Sequence, residues 1–540
     1  MINIFIFNNA SRAAGYGIGT YIRQLSEGFS AIPDTKVSFV EMYADTKEFS
    51  VNVDDSGHTH YLIPPLKSAM ESEAYYRSIF YFLARDIDVR ENERTVFQFN
   101  YFQHYLLAIL LKAWYPQSMI VLTVHYLSWC FELNGNIRRM KEIMAEGHEL
   151  SDDQEKSVES SFTSEERFMH LADAVFVLSQ KTKDILIDDY KVAPEKLFLV
   201  YNGAGSRIDD QKDGNKDGFR TVLFVGRLEK DKGVKYLIEA FVRIADAYPD
   251  SKLVIVGDGD FQPYLAQSRT LPGRVVFFGK TGKDEIEDLY RSAYIGVIPS
   301  FHEQCSYTVI EMMRHGIPVI GTDRIGLAEM LDATPQLRIH VNDEDFNEED
   351  FVAQIASRMD LLLSDNAAYH SLSEAVSRQY EKCYTVEAMT GGVQNALLRI
   401  LERTGNHVSV DFLPHIDNRM IALINSHPDM DLDFYGLSGI GCYLWWRVSQ
   451  MEKENVANAD QLALIREYLI YYLDWIGEVV ENEPLPVELH KVLLDMKACS
   501  FYPTKVNNIL ECNKIAYDDR CLLSEQEILH NALKICTCKI

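Results

Sequence analysis

The sequence has few basic residues relative to acidic ones, few cysteines and no long run of apolar residues. Its 540 residues include 53 Lys and Arg against 80 Asp and Glu, which gives a formal net charge of −27. Because nucleic-acid backbones attract Lys and Arg, this balance argues against a general nucleic-acid binder. It also disfavours adsorption of the whole protein to anionic membranes, although a local basic patch can still make a peripheral membrane contact.

The apolar runs are too short for a membrane-spanning helix, which needs about 20 residues. The first seven residues alternate like a buried strand and lack the basic start of a secretion signal. The nine cysteines are odd in number and scattered, as is typical of reduced thiols. We therefore predict a cytoplasmic protein.

The most informative stretch, residues 296–323, predicts a strand, a loop, a helix and a second strand. Ser306 suits the N-cap of the helix, and Gly316 ends it. Glu303 in the loop and Glu311 in the helix can both reach the carboxyl end of the strand, where open α/β sheets bind ligands. The helix N-terminus suits a diphosphate. On spacing alone, a solvated acidic loop before a surface helix is equally consistent.

Two cations and a histidine stand at the ends of other predicted strands. Arg227 and Lys232 follow the strand Thr221–Val225 and suit a diphosphate, with Arg as a fork and Lys as a point charge. His125 follows the strand Met119–Val124 and is predicted to point into the same kind of crevice. The alternatives are a solvated basic loop and a histidine satisfied in the core or at the surface.

A glycine-rich loop follows the first strand and contains Gly17. It is not the Gly-x-Gly-x-x-Gly fingerprint of dinucleotide binding. Glycine lets a backbone approach a ligand closely, but taken alone this loop favours the simpler interpretation of a flexible strand-to-helix turn. Strands and helices alternate along most of the chain, which predicts parallel, doubly wound α/β sheets.

Taken together and in order, these motifs resemble family 4 glycosyltransferases of the GT-B fold. The resemblance covers residues 1–402 and is strongest over residues 221–323, in the Gly-Arg-Leu…Lys-Gly and Glu-x7-Glu motifs. It implies two doubly wound Rossmann-like domains that face a cleft. It further implies retaining transfer of a sugar from a UDP- or GDP-linked donor, with no metal and no further cofactor.

The resemblance also implies the site residues. The catalytic residues would be His125, Arg227, Lys232 and Glu303. The donor-binding residues would be Gly17, Arg227, Lys232, Gly279, Glu303, Cys305, Ser306, Tyr307, Thr308 and Glu311. Cys305 stands where the family more often has glycine. Asp258 and Asp260 match a turn of the family, so no metal is assigned to them.

We predict four segments: an acceptor-side domain over residues 1–208, a linker over 209–218, a donor-binding domain over 219–405 and a helical extension over 406–540. The extension leaves the family pattern. Its aromatic residues, such as Trp445 and Tyr472, either dock an acceptor or pack on the catalytic body. The segment 433–444 weakly resembles one repeat of lanthionine-cyclase-like toroids.

The acceptor can be a glycan, a lipid-linked molecule or a peptide, and the oligomeric state is left open. One alternative function is a catalytically inactive GT-B module that binds a nucleotide sugar. Another is a scaffold that acts through its helical extension.

Overall fold

The computed structural model describes residues 1–10, 17–47, 49–65, 93–115, 117–206, 218–402 and 503–512, with short helical pieces between 75 and 87 and between 444 and 498. These residues form two sheets, one mostly and one wholly parallel, flanked by helices. No helix among them is long and apolar enough to cross a membrane. The predicted linker 209–218, apart from Gly218, lies outside the described residues.

The first sheet has eight strands in the order β3-β4-β2-β1-β5-β6-β7-β8. Their bounds are β1 Ile2–Asn9, β2 Thr35–Met42, β3 Ser50–Val53, β4 Thr59–Leu62, β5 Arg94–Phe99, β6 Met119–Val124, β7 Ala174–Val177 and β8 Leu197–Leu199. All neighbouring pairs are parallel except β3 and β4. The sequence did not predict β3 and β4, because β3 is an exposed edge strand without an apolar run.

Helices surround this first sheet. Their bounds are α1 Gly17–Ser30, α2 Tyr105–Trp114, α3 Trp129–Glu132, α4 Ile137–Ile143, α5 Asp153–Leu171 and α6 Gln180–Asp188. Helix α1 buries Tyr21, Ile22, Leu25 and Phe29 on one face, as its helical spacing predicts. The strands are buried on both faces, which explains their continuous apolar runs.

The second sheet has six strands in the order β11-β10-β9-β12-β13-β14, and all neighbouring pairs are parallel. The strands are β9 Arg220–Val225, β10 Ser251–Val256, β11 Val275–Gly279, β12 Ala293–Ile298, β13 Val319–Thr322 and β14 Arg338–Ile339. The central helices are α7 Val234–Ile244, α8 Gln262–Ser268, α9 Lys283–Ser292, α10 Tyr307–Arg314 and α11 Ile325–Met330. The predicted strand–helix–strand pattern of residues 296–323 is thus present.

Three helices complete the second domain: α12 Glu348–Ser364, α13 Asn366–Cys383 and α14 Val386–Glu402. Helix α14 crosses back to the first domain and packs on α1. Gly28 permits this contact, because a Cβ there would lie 3.3 Å from Val393 and 3.4 Å from the Cα of Thr390. The amide of Gln394 donates to the carbonyl of Gly28 at 3.2 Å.

Most of the apolar residues of the extension that the structure describes are buried, including Val506 and Ile509 of α15 Pro503–Cys512. Leu444, Ile465 and Leu469 are fully buried and belong to the same core cluster as Phe7 of β1. Trp445 and Tyr472 are each only 2% exposed and belong to the same cluster, so of the two interpretations left open by the sequence these residues favour packing on the catalytic body. The segment 433–444, apart from Leu444, lies outside the described residues.

Candidate functional site

The predicted cation Lys232 lies between two carboxylates at the carboxyl end of the second sheet. Its ammonium group donates to Glu303 at 2.9 Å and lies 3.4 Å from Asp231. Only 12% of its side chain is exposed. Burial alone would lower the pKa of Lys232, but Glu303 and Asp231 together raise that pKa above its usual value. Lys232 is therefore a charged, fixed cation.

The backbone around Lys232 explains the Lys-Gly pair. Gly233 has a left-handed φ of 69°, and a Cβ there would lie 2.4 Å from the carbonyl oxygen of Pro299. The amide of Phe301 donates to the carbonyl of Asp231 at 2.8 Å. Only glycine permits this close approach, which joins the loop after β9 to the loop after β12 and so brings Lys232 to Glu303.

Asp231, His302 and Phe131 extend this cluster, and sequence reasoning missed all three. The imidazole of His302 lies 3.2 Å from the carboxylate of Asp231. Burial would raise the pKa of Asp231, but His302 and Lys232 lower it to about 2. The ring of Phe131, from the first domain, lies edge-on to His302 with centroids 4.3 Å apart. The adjacent pairs Asp231-Lys232 and His302-Glu303 were visible in the sequence. No sequence pattern indicated that the two loops that carry them contact each other.

Arg227 lies on the same loop but closer to solvent. Its guanidinium donates to Glu229 at 2.7 Å, and 41% of its side chain is exposed. The neighbouring turn at residues 257–260 is held by a tight backbone approach, since a Cβ on Gly257 would lie 1.8 Å from the carbonyl of Gly226. The predicted turn is therefore present. Among the described residues, no group of three or more His, Cys, Asp or Glu side chains is arranged to hold a metal ion.

Helix α10 begins directly after Ser306, at the position predicted for the N-cap. The Ser306 side chain makes no capping hydrogen bond, contrary to the N-cap expectation, and its backbone amide points to the sulfur of Met330 at 3.3 Å. The Ser306 side chain therefore accepts no hydrogen bond from the backbone amides of the first helical turn. Thr308 lies in this first turn, and Glu311 lies about one turn further and accepts from the Tyr290 hydroxyl at 2.7 Å.

Cys305 precedes this helix and is buried. Burial raises the pKa of its thiol to about 12, so it stays neutral and acts as a small apolar residue. Its carbonyl accepts from the amide of Asn202 in the first domain at 2.7 Å. The next residue of this loop towards the N-terminus, Gln304, accepts from the Thr182 hydroxyl, also of the first domain. The loop of Glu303 is thus held by both domains.

Tyr307 and Gly17 meet across the cleft. The hydroxyl of Tyr307 donates to Gln24 of α1 at 2.7 Å. A Cβ on Gly17 would lie 3.1 Å from the Tyr307 ring, so the small residue at this position leaves room for the ring. The structure therefore brings Gly17, the first residue of α1, to the start of α10, whereas residues 11–16 of the glycine-rich stretch lie outside the described residues.

His125 lies at the end of β6 on the first-domain side. Its ring contacts Tyr21 edge-on, with centroids 4.6 Å apart, and its Nε2 lies 3.1 Å from the Asn100 side-chain oxygen. Burial lowers the pKa of His125 to about 3, so the imidazole is neutral near pH 7. Gly279 ends β11, and its carbonyl accepts from the amide of Gly257 at 2.9 Å. It has a φ of 76° and open space where a Cβ would project.

Comparison with known proteins agrees with this architecture. Residues 219–365 match the family model described as glycosyl transferases group 1. An uncharacterized glycosyltransferase of Methanocaldococcus jannaschii is 32% identical over 172 residues, which is 29% of this chain and 44% of that protein. A D-inositol 3-phosphate glycosyltransferase of Corynebacterium kroppenstedtii is 26% identical over 195 residues, 32% of this chain and 43% of the relative. The chain therefore spans less than half the length of these curated relatives.

Solved structures share the fold at low identity. The sucrose-phosphate synthase from Thermosynechococcus elongatus has a TM-score of 0.57 and 20% identity, over 75% of this chain and 100% of that chain. The catalytic domain of starch synthase IV from Arabidopsis thaliana, bound to ADP and acarbose, has a TM-score of 0.53 and 13% identity, with the same coverage. Residues 219–365 thus resemble the group 1 glycosyltransferases, and the likeness to the solved structures shows that the chain has the two-domain GT-B fold.

Proposed function

We propose that the protein is a retaining, metal-independent glycosyltransferase that moves a sugar from a UDP- or GDP-linked donor to an acceptor. The observation that carries the proposal is the half-buried cluster of Lys232, Glu303 and Asp231 just before the start of α10. A fixed cation and a helix N-terminus at one sheet edge suit a diphosphate.

The leaving diphosphate is the group that needs stabilising. As the glycosidic bond to the donor breaks, negative charge grows on the phosphate oxygens, and preorganised cations there lower the barrier. Lys232 is already oriented by two carboxylates, so it needs little reorganisation. Arg227, nearer to solvent, would swing from Glu229 to the diphosphate.

We propose that the anomeric configuration is retained because the diphosphate leaves and the acceptor attacks on the same face of the sugar. The carboxylate of Glu303 accepts a hydrogen bond from Lys232, so it does not suit the role of a free nucleophile. His125 is neutral at physiological pH and would hold the donor sugar by a hydrogen bond. Glu311 would accept from the ribose hydroxyls, and Gly279 would leave room for the base.

The acceptor is proposed to be a glycan, a lipid-linked molecule or a peptide hydroxyl. The relatives carry names that span small and lipid acceptors, from D-inositol 3-phosphate glycosyltransferase to alpha-monoglucosyldiacylglycerol synthase of Streptococcus pneumoniae. These names describe those proteins, so the acceptor of this chain needs its own test.

The test is hydrolysis of a panel of UDP- and GDP-linked sugars by the purified full chain. The release of the nucleoside diphosphate measures the rate. Wild type should hydrolyse at least one donor, Lys232→Ala should not, and a chelator should leave the rate largely unchanged. Binding without hydrolysis would support the inactive-module alternative. Activity that a chelator abolishes and magnesium or manganese restores would contradict the metal-independent mechanism.

A further inference from the structure

The segment 125–136, which follows β6 and which we call the strap, runs from the first domain to the second beside the candidate site. His125 is its first residue, and Phe131 lies within it, in α3. The ring of Phe131 contacts the ring of His302, with centroids 4.3 Å apart. The strap therefore carries both the histidine predicted to hold the donor sugar and the first-domain ring that touches the cluster around Lys232.

The far end of the strap fits tightly against the second domain. Gly135 has a left-handed φ of 69°, and a Cβ there would lie 2.5 Å from the carbonyl oxygen of Phe301. The side-chain amide of Asn136 donates to the carbonyl of Asp343 at 2.9 Å. Because Phe301 belongs to the loop of Glu303, and packed contacts leave little free space, a shift of the strap would displace that loop.

One buried carboxylate holds the strap from within the first domain. Glu165 lies in α5 and is only 1% exposed. One of its oxygens accepts from the backbone amide of Ser128 at 2.7 Å, and the other accepts from the hydroxyl of Tyr190, also at 2.7 Å. Ser128 stands midway between His125 and Phe131 in the sequence. Glu165 therefore fixes the strap between its two functional side chains.

The charge of Glu165 changes the strength of this hold. Burial raises the pKa of Glu165 to about 7, so the ionised and neutral forms are both populated near neutral pH. The ionised form accepts two charge-assisted hydrogen bonds, which are about twice as strong as neutral ones. The neutral form must place its own proton on one of the two oxygens, and it accepts only neutral bonds. Ionisation therefore tightens the hold on the strap.

The other titratable groups around Glu165 are fixed in one state near neutral pH. Burial keeps the pKa of the Cys130 thiol and that of the Tyr190 hydroxyl well above their usual values. The turn Phe102–His104 also packs on α5, and burial lowers the pKa of His104 to about 3. The charged groups of α4 and the remaining histidine of α5 near Tyr190 have other partners: Arg138 and Arg139 with Glu142, Arg139 also with Glu155, Lys141 with Asp189, and His170 with the Tyr190 carbonyl.

We propose that Glu165 is a positioning residue for donor turnover, which fixes the strap through the amide of Ser128. Glu165 does not touch the donor and acts through His125 and Phe131. This role rests on the proposed function, because turnover of the donor is the step that the strap serves. Most of the predicted nucleotide contacts lie in the second domain, so a weaker hold should slow turnover and leave nucleotide affinity nearly unchanged.

The experiment measures donor hydrolysis by the full chain across a range of pH. Wild-type kcat should rise as the pH passes through about 7, because the carboxylate of Glu165 forms there. Glu165→Gln keeps an acceptor for the Ser128 amide but never ionises. Its kcat above neutral pH should be about tenfold lower, and the rise should disappear. The affinity for UDP and GDP should stay within about threefold of wild type.

A second variant and a matched control separate positioning from stability. Tyr190→Phe keeps the ring stack on Phe162, with centroids 3.8 Å apart, but removes one donor to the carboxylate. The rise in kcat should therefore move to higher pH, because the charged form loses a hydrogen bond. In the control Glu155→Gln, the buried carboxylate that changes also lies in α5 but accepts from the amide of Ser151, outside the strap. That control should keep the wild-type kcat and pH profile.

Wild-type kcat and pH profile in Glu165→Gln would overturn the positioning role. An unmoved profile in Tyr190→Phe, or an equal loss in Glu155→Gln, would overturn it as well. Thermal melting shows whether each variant folds, and if Glu165→Gln does not, Tyr190→Phe decides.

Hydrogen exchange of the strap amides without donor is measured in parallel. It should be faster in Glu165→Gln than in wild type or Glu155→Gln, because the Ser128 amide is held less tightly. If wild type hydrolyses no donor, the proposed function fails. Unchanged exchange of the strap would then show that Glu165 does not hold it either, whereas faster exchange would leave that part of the inference standing.

Discussion

Replacing Lys232 by Met tests the centre of the candidate site. The change keeps a long side chain but removes the cation that Glu303 and Asp231 share. Breaking a buried ion pair costs about 3–5 kcal/mol, and we expect the lower end, about 3 kcal/mol, because Glu303 is 20% exposed. Asp231 keeps His302 beside it, so the stranded carboxylate is that of Glu303.

A second change separates stability from function. Glu303→Gln removes the stranded charge, so the double variant Lys232→Met with Glu303→Gln should regain about 1–2 kcal/mol relative to the sum of the single variants. Donor turnover should remain reduced by a factor on the order of 100, the cost of one preorganised charge-stabilising group. Loss of stability and loss of turnover would thus be distinct effects.

The measurements are urea unfolding, compared at equal slope of the transition, and hydrolysis of the donor. Lys235→Met is the matched control, because Lys235 pairs with Glu348 at 2.8 Å at the exposed surface. That pair should contribute under about 1 kcal/mol. Donor turnover by Lys232→Met within a few-fold of wild type would refute the diphosphate assignment. Strictly additive stabilities would refute the shared ion pair.

Three further predictions address other parts of the chain. Glu311→Gln should leave the fold intact, because Gln still accepts a hydrogen bond from Tyr290. It should weaken donor binding roughly tenfold, because the charge-assisted hydrogen bonds to the ribose are lost, and titration with UDP and GDP measures this affinity. Burial raises the pKa of Glu165 to about 7 against an ordinary 4.5, so the folded state binds more protons between those values and stability should fall as pH rises from about 5 to 7. Glu165→Gln should flatten this slope in urea unfolding, and an unchanged slope would assign it to other groups. A chain ended after Asn406 should fail to fold, since Leu444, Val448, Ile465, Leu469 and Leu473 are fully buried and together contribute on the order of 10 kcal/mol; a soluble, donor-binding truncation would contradict this.

The sequence by itself determined most of the local structure. Apolar runs of four to six residues, ended by Gly or Pro, are buried parallel strands, because such strands lie under helices on both faces. The helical spacing of Tyr21, Leu25 and Phe29 and the stop at Gly316 depend on neighbours in the chain, so they were predicted with their boundaries nearly right. The order of the motifs also indicated the two-sheet architecture.

The tertiary structure alone decided which side chains meet. Asp231 and His302 are 71 residues apart, and only the approach of Gly233 to Pro299 brings their loops together. The packing of the extension on the first domain was left open by the sequence for the same reason, since the burial of Leu444 and Ile465 depends on partners far along the chain. The contacts of the strap depend on how two domains face each other, and the periodicity within either domain carries no trace of them.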